Sequence, residues 1–220
     1  ENGYVRANAA GHPAATVEIL QIAIGDWAPV VRFAAADNPN ATPDVLQIAI
    51  GDNDRGVRAK AADNPAATEE ILKTAIADKN ESVRESAAKH PNATADVLKI
   101  AIEDKDNSVR ESAAKHPNAT ADVLQIAMSD EHPWIRSAAA ERPNAPELLG
   151  ENYLDLAKDT EIQVREAVLN NPNADENCIG LIAMGQGEWV RNPETGDEDW
   201  VPQDDAHLRQ QALSDQRCPE

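Results

Sequence analysis

The sequence predicts an all-α fold, a solenoid of 26-residue two-helix repeats with a small β-hairpin insertion near the C-terminus. A phrase that begins at Val83 (VRESAAKHPNATADVLKIAIED) returns 26 residues later at Val109 with three changes. A Val-Arg pair, once Ile-Arg, recurs at the same spacing at Val5, Val31, Val57, Val83, Val109 and Ile135. A fixed period of this length is typical of helical solenoids, because one repeat cannot bury its apolar face without neighbours.

The first half of each repeat predicts a helix of about nine residues, which we call helix A. Val83, Ala87 and Ala88 share one helical face, and His90 precedes Pro91, which ends the helix because a residue before proline avoids the helical region. Cap residues and first-turn prolines precede the Val-Arg pair in several repeats: Asp54, Asn80, Asp106, Pro29 and Pro133.

The second half predicts another short helix, helix B. A threonine that can accept a bond from a first-turn N–H precedes it at Thr16, Thr42, Thr68, Thr94 and Thr120. Acidic residues follow two positions later, where the positive end of the helix dipole stabilises their negative charge: Glu18, Asp44, Glu70, Asp96 and Asp122. The run Val97, Leu98, Ile100, Ala101 and Ile102 predicts a wide apolar face buried between neighbours.

The repeat is interrupted twice. Pro146 replaces the usual threonine, and the segment from Pro146 to Lys158 lengthens its repeat, so the next Val-Arg pair, at Val164, comes after 29 residues. We expect a longer helix B there, or one bent at Gly150. The second interruption begins at Gly185, where Pro-Glu-Thr-Gly ending at Gly196 predicts a tight turn.

This turn predicts a β-hairpin between residues 188–192 and 197–201. In that register Trp189 faces Trp200 and Arg191 faces Glu198, both favourable cross-strand pairs. The predicted organisation is thus a solenoid of about seven repeats over residues 1–184, an inserted hairpin over 185–202 and a partial repeat or C-terminal cap over 203–220.

The repeat pattern Val-Arg-x-x-Ala-Ala-x-Asn-Pro-Asn-Ala resembles the leucine-rich repeat variant family, a relative of HEAT-like helical repeats. Its most specific element is Asn-Pro, at Asn38-Pro39, Asn64-Pro65 and Asn171-Pro172. The resemblance implies a right-handed α-superhelix. One member type of that family carries an iron–sulfur cluster on a separate group of cysteines. Cys178 and Cys218 cannot supply the four thiolates of such a cluster, so the resemblance implies a scaffold without a cofactor.

The net charge of −19 disfavours nucleic acid and anionic membranes as partners, since both need a basic face. A basic protein partner is more natural. The alternative is that the acids serve helix capping and solubility. Two cysteines give no disulfide framework, and no apolar run approaches the length of a transmembrane helix, so a cytoplasmic location is favoured.

Arginines and aspartates recur at fixed positions, and stacking would set them into two rows. We expect an internal ladder between them, because the arginine fork matches a carboxylate. The alternative is an arginine row that binds an anionic ligand. The predicted ladder residues are Arg32, Arg58, Arg84, Arg110, Arg136, Asp52, Asp78, Asp104 and Asp130.

No catalytic or metal-binding motif is present in the sequence, so we expect neither an enzyme nor a metal protein. His12, His90 and His116 share one position, which Asn occupies in other repeats, and this exchange indicates a hydrogen-bonding role at the helix end. Cys178 lies at an apolar helix B position and is expected in the core.

Tryptophans stand out in a chain with 3% aromatic residues. Trp27 and Trp134 fall in the predicted loops between repeats. Trp189 and Trp200, with Arg191, lie on the predicted hairpin and are the candidate partner-binding residues, because tryptophan is enriched in binding hot spots. The alternative is that the hairpin packs over the apolar edge of the solenoid.

The expected function is a non-catalytic protein-interaction scaffold with an extended acidic surface and no cofactor. The alternative is a structural spacer or sensory module in a larger multidomain protein. That alternative is favoured by the incomplete repeats at Glu1 and at Cys218-Pro219-Glu220.

Overall fold

A computed structural model describes residues 2–184, 187–191, 198–202 and 206–214. Two compact regions make up the chain, Glu1–Ala119 and Thr120–Glu220. Among the helices of the described ranges, none combines the length and apolar character needed to cross a bilayer.

Helix pairs build the N-terminal region. In chain order its helices are α1 (Gly3–Ala10), α2 (Val17–Ala23), α3 (Pro29–Asp37), α4 (Pro43–Ala49), α5 (Arg55–Asp63), α6 (Glu69–Ile76), α7 (Glu81–Lys89), α8 (Ala95–Ala101) and α9 (Asn107–Lys115). Odd-numbered helices are helix A of their repeats, and α1, α3, α5 and α7 each pack on the next odd-numbered helix. Helix A is eight or nine residues long and helix B seven or eight.

Helix A begins where the sequence places its caps. The carboxylate of Asp54 accepts bonds from the backbone N–H groups of Gly56 and Val57, and Asp106 caps Ser108 in the same way. Pro29 occupies the first turn of α3. The predicted core residues Val83, Ala87 and Ala88 are fully buried.

The threonines before helix B cap less often than expected. Thr16 and Thr68 accept bonds from Ile19 and Ile71 N–H groups, both at 3.5 Å, whereas Thr42, Thr94 and Thr120 form no such bond. The Thr94 hydroxyl instead donates to Glu69 Oε1 in the preceding repeat. All five threonines keep the extended backbone of a cap residue. What they share at this position is therefore the backbone conformation, and the side-chain hydrogen bond forms in only some of the repeats.

One predicted core position of helix B is wrong. Val97, Leu98, Ala101 and Ile102 are buried, but Ile100 is 52% exposed. The reason is helical geometry: Ala101 and Ile102 follow Leu98 by three and four residues and share its face, while Ile100 follows it by two and points away.

The C-terminal region, described on its own, begins with two regular helices. Its helices are α10 (Ala121–Ala127), α11 (Pro133–Ala140), α12 (Ala145–Leu149), α13 (Tyr153–Ala157), α14 (Ile162–Asn170), α15 (Glu176–Met184) and α16 (Ala206–Ser214). The lengthened repeat splits its second helix into α12 and α13, joined by a 3₁₀ turn over Gly150–Asn152.

Gly150 makes this break possible. Its φ of 54° and ψ of −131° lie where a side chain is strongly disfavoured. The turn then places Tyr153 in the core, where its ring is buried and its hydroxyl donates to the carbonyl of Ala140 at 2.9 Å. The sequence predicts a helix that is longer or bent at Gly150, whereas in the structure the helix is interrupted there and continues as α13.

Two antiparallel strands follow α15, β1 (Gly187–Arg191) and β2 (Glu198–Pro202). Their register sets Trp189 opposite Trp200 and Arg191 opposite Glu198, which is the predicted pairing. The predicted turn, 192–197, and the side chains of both strands lie outside what the structure describes. The predicted division into residues 1–184, 185–202 and 203–220 stays a prediction.

Candidate functional site

Arginines of helix A form bidentate pairs with aspartates of the following inter-repeat loop. Arg32 donates from Nε to Asp52 Oδ2 at 2.5 Å and from Nη2 to Asp52 Oδ1 at 2.8 Å. Its third nitrogen, Nη1, donates to the carbonyls of Asp26 and Trp27 in the loop before its own helix. One guanidinium therefore joins two successive loops. The same arrangement links Arg6 to Asp26, Arg58 to Asp78 and Arg84 to Asp104.

Each of these aspartates also fixes its own loop. The Oδ1 atom of Asp52 accepts a bond from the backbone N–H of Asp54 at 2.8 Å, and Asp78 and Asp104 do the same for the residue two positions on. Since Asp54 is the cap of α5, the guanidinium, the loop and the next helix start form one connected network. We call this set of arginines and aspartates the Arg–Asp ladder.

The ladder keeps its carboxylates ionised. The hydrogen bond from Arg6 lowers the pKa of Asp26 to about 2, and the hydrogen bond from Arg32 lowers the pKa of Asp52. At Asp78 and Asp104 burial is the largest single influence and raises the pKa. The hydrogen bonds from Arg58 and Arg84, the backbone N–H bonds and the nearby positive charges together outweigh it, so the net pKa is again lowered. A carboxylate held in this way is a structural partner of arginine and a poor general acid at neutral pH.

The remaining predicted ladder residues are placed as follows. Arg110 donates from Nη1 to the Asp104 carbonyl at 2.9 Å. In the C-terminal region, Asp130 accepts from the His132 backbone N–H, and Arg136 bonds to Asp159 through Nε and Nη2. Arg136 and Asp159 are 23 residues apart rather than 20, because this repeat has three extra residues.

A second ladder runs through the ends of helix A in the N-terminal region, formed by Asn38, Asn64, His90 and His116. The Asn64 amide donates to the carbonyl of Asn38, and Nε2 of His90 bonds to the carbonyl of Asn64 at 3.0 Å. His116 bonds in turn to the carbonyl of His90. We call this the polar ladder. All four residues are at most 4% exposed.

The histidines of the polar ladder make the same two kinds of hydrogen bond as the asparagines do. In His90, Nδ1 accepts from the Asn92 backbone N–H at 3.1 Å, as Asn64 Oδ1 accepts from Ala66. The proton of a neutral ring must therefore lie on Nε2, where it serves as the donor. This agrees with the predicted helix-end role. His12, in the first repeat, is exposed. Its ring Nδ1 accepts from the Ala14 backbone N–H, and its carbonyl accepts from the Asn38 amide.

Cys178 is buried on α15, as predicted, and burial together with Asp175 raises the pKa of its thiol to about 12. Such a thiol is not a nucleophile at neutral pH. Among the described residues, no three His, Cys, Asp or Glu side chains are grouped to hold a metal ion.

The exposed surface of the N-terminal region carries large apolar side chains that the sequence analysis assigned to the core or left out. Ile22, Ile48 and Ile100 occupy one outward position of helix B and are 78%, 59% and 52% exposed. Thr74 occupies this position in the third repeat, and a polar residue there indicates, from sequence alone, that the position faces solvent. Trp27 is 80% exposed in its loop, with the Arg6 guanidinium carbon 5.5 Å from its ring centre.

Trp134 lies in the first turn of α11, rather than in a loop, and is also exposed. One position of helix A differs in exposure from repeat to repeat: Phe33 is exposed, Ala59, Glu85 and Glu111 are half-buried, and Ser137 is buried. The candidate binding residues Trp189, Trp200 and Arg191 have defined strand positions, and their side chains lie outside the described part of the chain.

Solved structures share this architecture. A leucine-rich repeat variant, described as having a novel repetitive structural motif, matches 96% of this chain and 80% of its own, with a TM-score of 0.65 and 22% identity. The fold is that of a helical repeat protein of the leucine-rich repeat variant type. The X-ray structure of YibA from Escherichia coli matches 83% of this chain and 85% of its own, with a TM-score of 0.50 and 16% identity. No protein-family model and no curated protein matches the chain.

Proposed function

We propose that this chain is a non-catalytic interaction scaffold that presents an acidic helical-repeat surface to a basic protein. The proposal includes the 26-residue repeat as the unit of that surface and the paired strands near the C-terminus as an added part of it. It also takes the chain to work without cofactor or metal.

The observation that carries the proposal is variation at an exposed position on a fixed framework. The framework consists of the Arg–Asp ladder and the buried Val and Ala positions, which recur from one repeat to the next. The exposed loop position just after the ladder aspartate holds four different residue types in five successive repeats: Trp27, Asn53, Lys79, Lys105 and Glu131. Helical repeat proteins bind through surface positions of this kind.

Charge supports a basic partner. The chain has 39 acidic residues against 20 basic ones, and five of its arginines are already paired within the fold. A surface with this excess attracts a positively charged partner and repels nucleic acid.

The test is affinity capture from lysate of the source organism, with the chain as bait and mass spectrometry as the readout. A matched bait with Trp189→Ala and Trp200→Ala tests the strand pair as a contact site. We expect that wild type enriches a reproducible basic protein and that the double variant, with unchanged helical circular dichroism, recovers less. Equal recovery would remove the strand pair from the binding surface. No enrichment by wild type would favour a spacer role instead.

A further inference from the structure

Ile22, Trp27 and Ile48 lie in the first two repeats. Isoleucine returns at the same helix B position at Ile100, but the tryptophan does not recur, since Asn53, Lys79 and Lys105 take its place in later repeats. Ile22 and Ile48 project from α2 and α4, and Trp27 lies in the loop that follows α2. We call these three residues the apolar row. Ile48 is in an inner repeat, so its exposure comes from its position on the helix and not from lying at the end of the array.

The later repeats show what kind of surface this is. Between α6 and α8 the same positions line an open groove of about 610 Å³, whose walls include Ile76, Lys79, Lys99, Ile100, Glu103 and Lys105. The corresponding positions two repeats earlier hold Ile24, Trp27, Gln47, Ile48, Gly51 and Asn53. The charged walls of the later groove are thus replaced by apolar, small and uncharged residues.

The charge around the apolar row is acidic. Residues 1–54 contain seven acidic residues, two arginines and no lysine, a net charge of −5. Both arginines, Arg6 and Arg32, are bound bidentately by aspartates. The exposed carboxylates of Glu18 and Asp44 precede Ile22 and Ile48 by four residues, which places them on the same helix faces.

The occupant must therefore combine apolar side chains with positive charge and repeat at the spacing of the helices. Helix A of one repeat packs on helix A of the next, as α1 does on α3, and axes of packed helices are about 8–10 Å apart, which sets the offset between neighbouring repeats. Three residues of an extended polyproline-II chain span about 9.3 Å, since each contributes about 3.1 Å. An extended segment with an apolar residue at every third position meets equivalent positions of neighbouring repeats in step.

Resting on the proposed scaffold function, we propose that the apolar row binds an extended segment of a basic protein in which apolar residues recur every third position between lysines or arginines. Trp27 and Ile48 contact the apolar side chains, and Glu18 and Asp44 pair with the basic ones. A second copy of this chain, with its own excess of acidic residues, does not meet the charge requirement.

The test measures the binding of a fluorescein-labelled peptide of repeated Leu-Lys-Pro triplets to the full chain by fluorescence anisotropy. The key variant is Trp27→Asn with Ile48→Thr, because Asn53 and Thr74 are the residues found at these positions one repeat later, so the fold accepts them. The matched control is Ile100→Thr, which makes the same change beside Lys99. Circular dichroism checks that all chains are equally helical.

We expect wild type and Ile100→Thr to bind alike and the double variant to bind at least about tenfold more weakly, a loss typical of a hot-spot contact. A Ser-Lys-Pro peptide of the same charge is expected to bind as weakly as the double variant does. Equal binding of both peptides, equal binding by the double variant, or no binding by wild type would each overturn the inference. Affinity capture separates it from the scaffold function, because a partner retained equally by wild type and the double variant leaves that function standing and excludes this surface.

Discussion

At the residue scale, one arginine per repeat carries most of the connection between loops. The guanidinium of Arg84 donates two hydrogen bonds to the Asp104 carboxylate and a third to the backbone carbonyl of Asp78, with donor–acceptor distances of 2.6–3.0 Å. Both side chains of the pair are 6–8% exposed. Removing one member of so buried a pair leaves the other charge without compensation.

We predict that Arg84→Ala lowers the free energy of unfolding by about 3 kcal/mol. Arg6→Ala, at the same position in the first repeat, should cost about 1 kcal/mol, because the Arg6 side chain is 25% exposed and water replaces part of the interaction. Urea unfolding followed by circular dichroism measures both. Equal losses would show that burial does not set the strength of the Arg–Asp ladder.

The polar ladder gives a second residue-scale prediction. His90→Asn should change the free energy of unfolding by less than about 1 kcal/mol, because asparagine fills the same role at Asn64. His90→Ala should cost about 2 kcal/mol, because it removes the ring's bond to the buried carbonyl of Asn64, which keeps only the Ala67 N–H, and leaves the N–H of Asn92 without its side-chain acceptor. Thermal and urea unfolding distinguish the two variants, and equal stabilities would contradict the assigned bonds.

At the element scale, helix B has a buried face and an exposed face that both carry isoleucine. Val45 and Leu46 on α4 are fully buried, while Ile48 is 59% exposed. Hydrophobicity alone therefore cannot tell framework from surface in this helix. The angular position does, because Leu46 and Ala49, three residues apart, lie on the buried face, while Ile48 follows Leu46 by only two residues and points to the other side.

We predict that Ile48→Thr changes the free energy of unfolding by less than about 0.5 kcal/mol, as expected for a surface substitution. Val45→Thr, the same product residue three positions earlier, should cost about 2 kcal/mol because it buries a hydroxyl. Chemical unfolding of the two variants checks this. A large loss at Ile48 would mean that the isoleucine belongs to the core.

The elements themselves follow well from sequence where spacing and caps agree, as at Asp54 and Pro29. The pairing of Trp189 with Trp200 follows from the turn residues alone. Two features do not follow. The first is the burial of Tyr153, which depends on the 3₁₀ turn at Gly150 and is not predicted by the repeat period. The second is the hydrogen bond of the Thr94 hydroxyl, which goes to Glu69 of the preceding repeat and not to a local backbone N–H.

At the scale of the whole molecule, the Arg–Asp ladder and the net charge of −19 make opposite contributions. The ladder stabilises the fold through ionised aspartates, and the excess acid destabilises it through repulsion. The same excess is the basis of the proposed basic partner. The sequence predicts the pairing of the arginine and aspartate rows, of which Arg32 and Asp52 are members, but it does not show which acidic side chains, such as Asp44, stay exposed.

We predict an acid-sensitive fold. The pKa values of Asp26, Asp52, Asp78 and Asp104 are lowered in the folded state, so this state binds fewer protons than the unfolded chain does below about pH 4. Their contribution is present above about pH 4 and is lost as pH falls through the folded values, toward about 2 for Asp26. Urea midpoints between pH 7 and pH 2 measure this, and a midpoint that stays constant or rises on acidification would contradict it.

The central claim is that this acidic repeat framework binds a basic protein, and its most direct test is the salt dependence of affinity capture. With the wild-type chain as bait, we expect a basic protein to be retained at about 50 mM salt and released at about 500 mM, because screening removes attraction between exposed charges. Retention of an acidic protein, or recovery that does not change with salt, would contradict the claim.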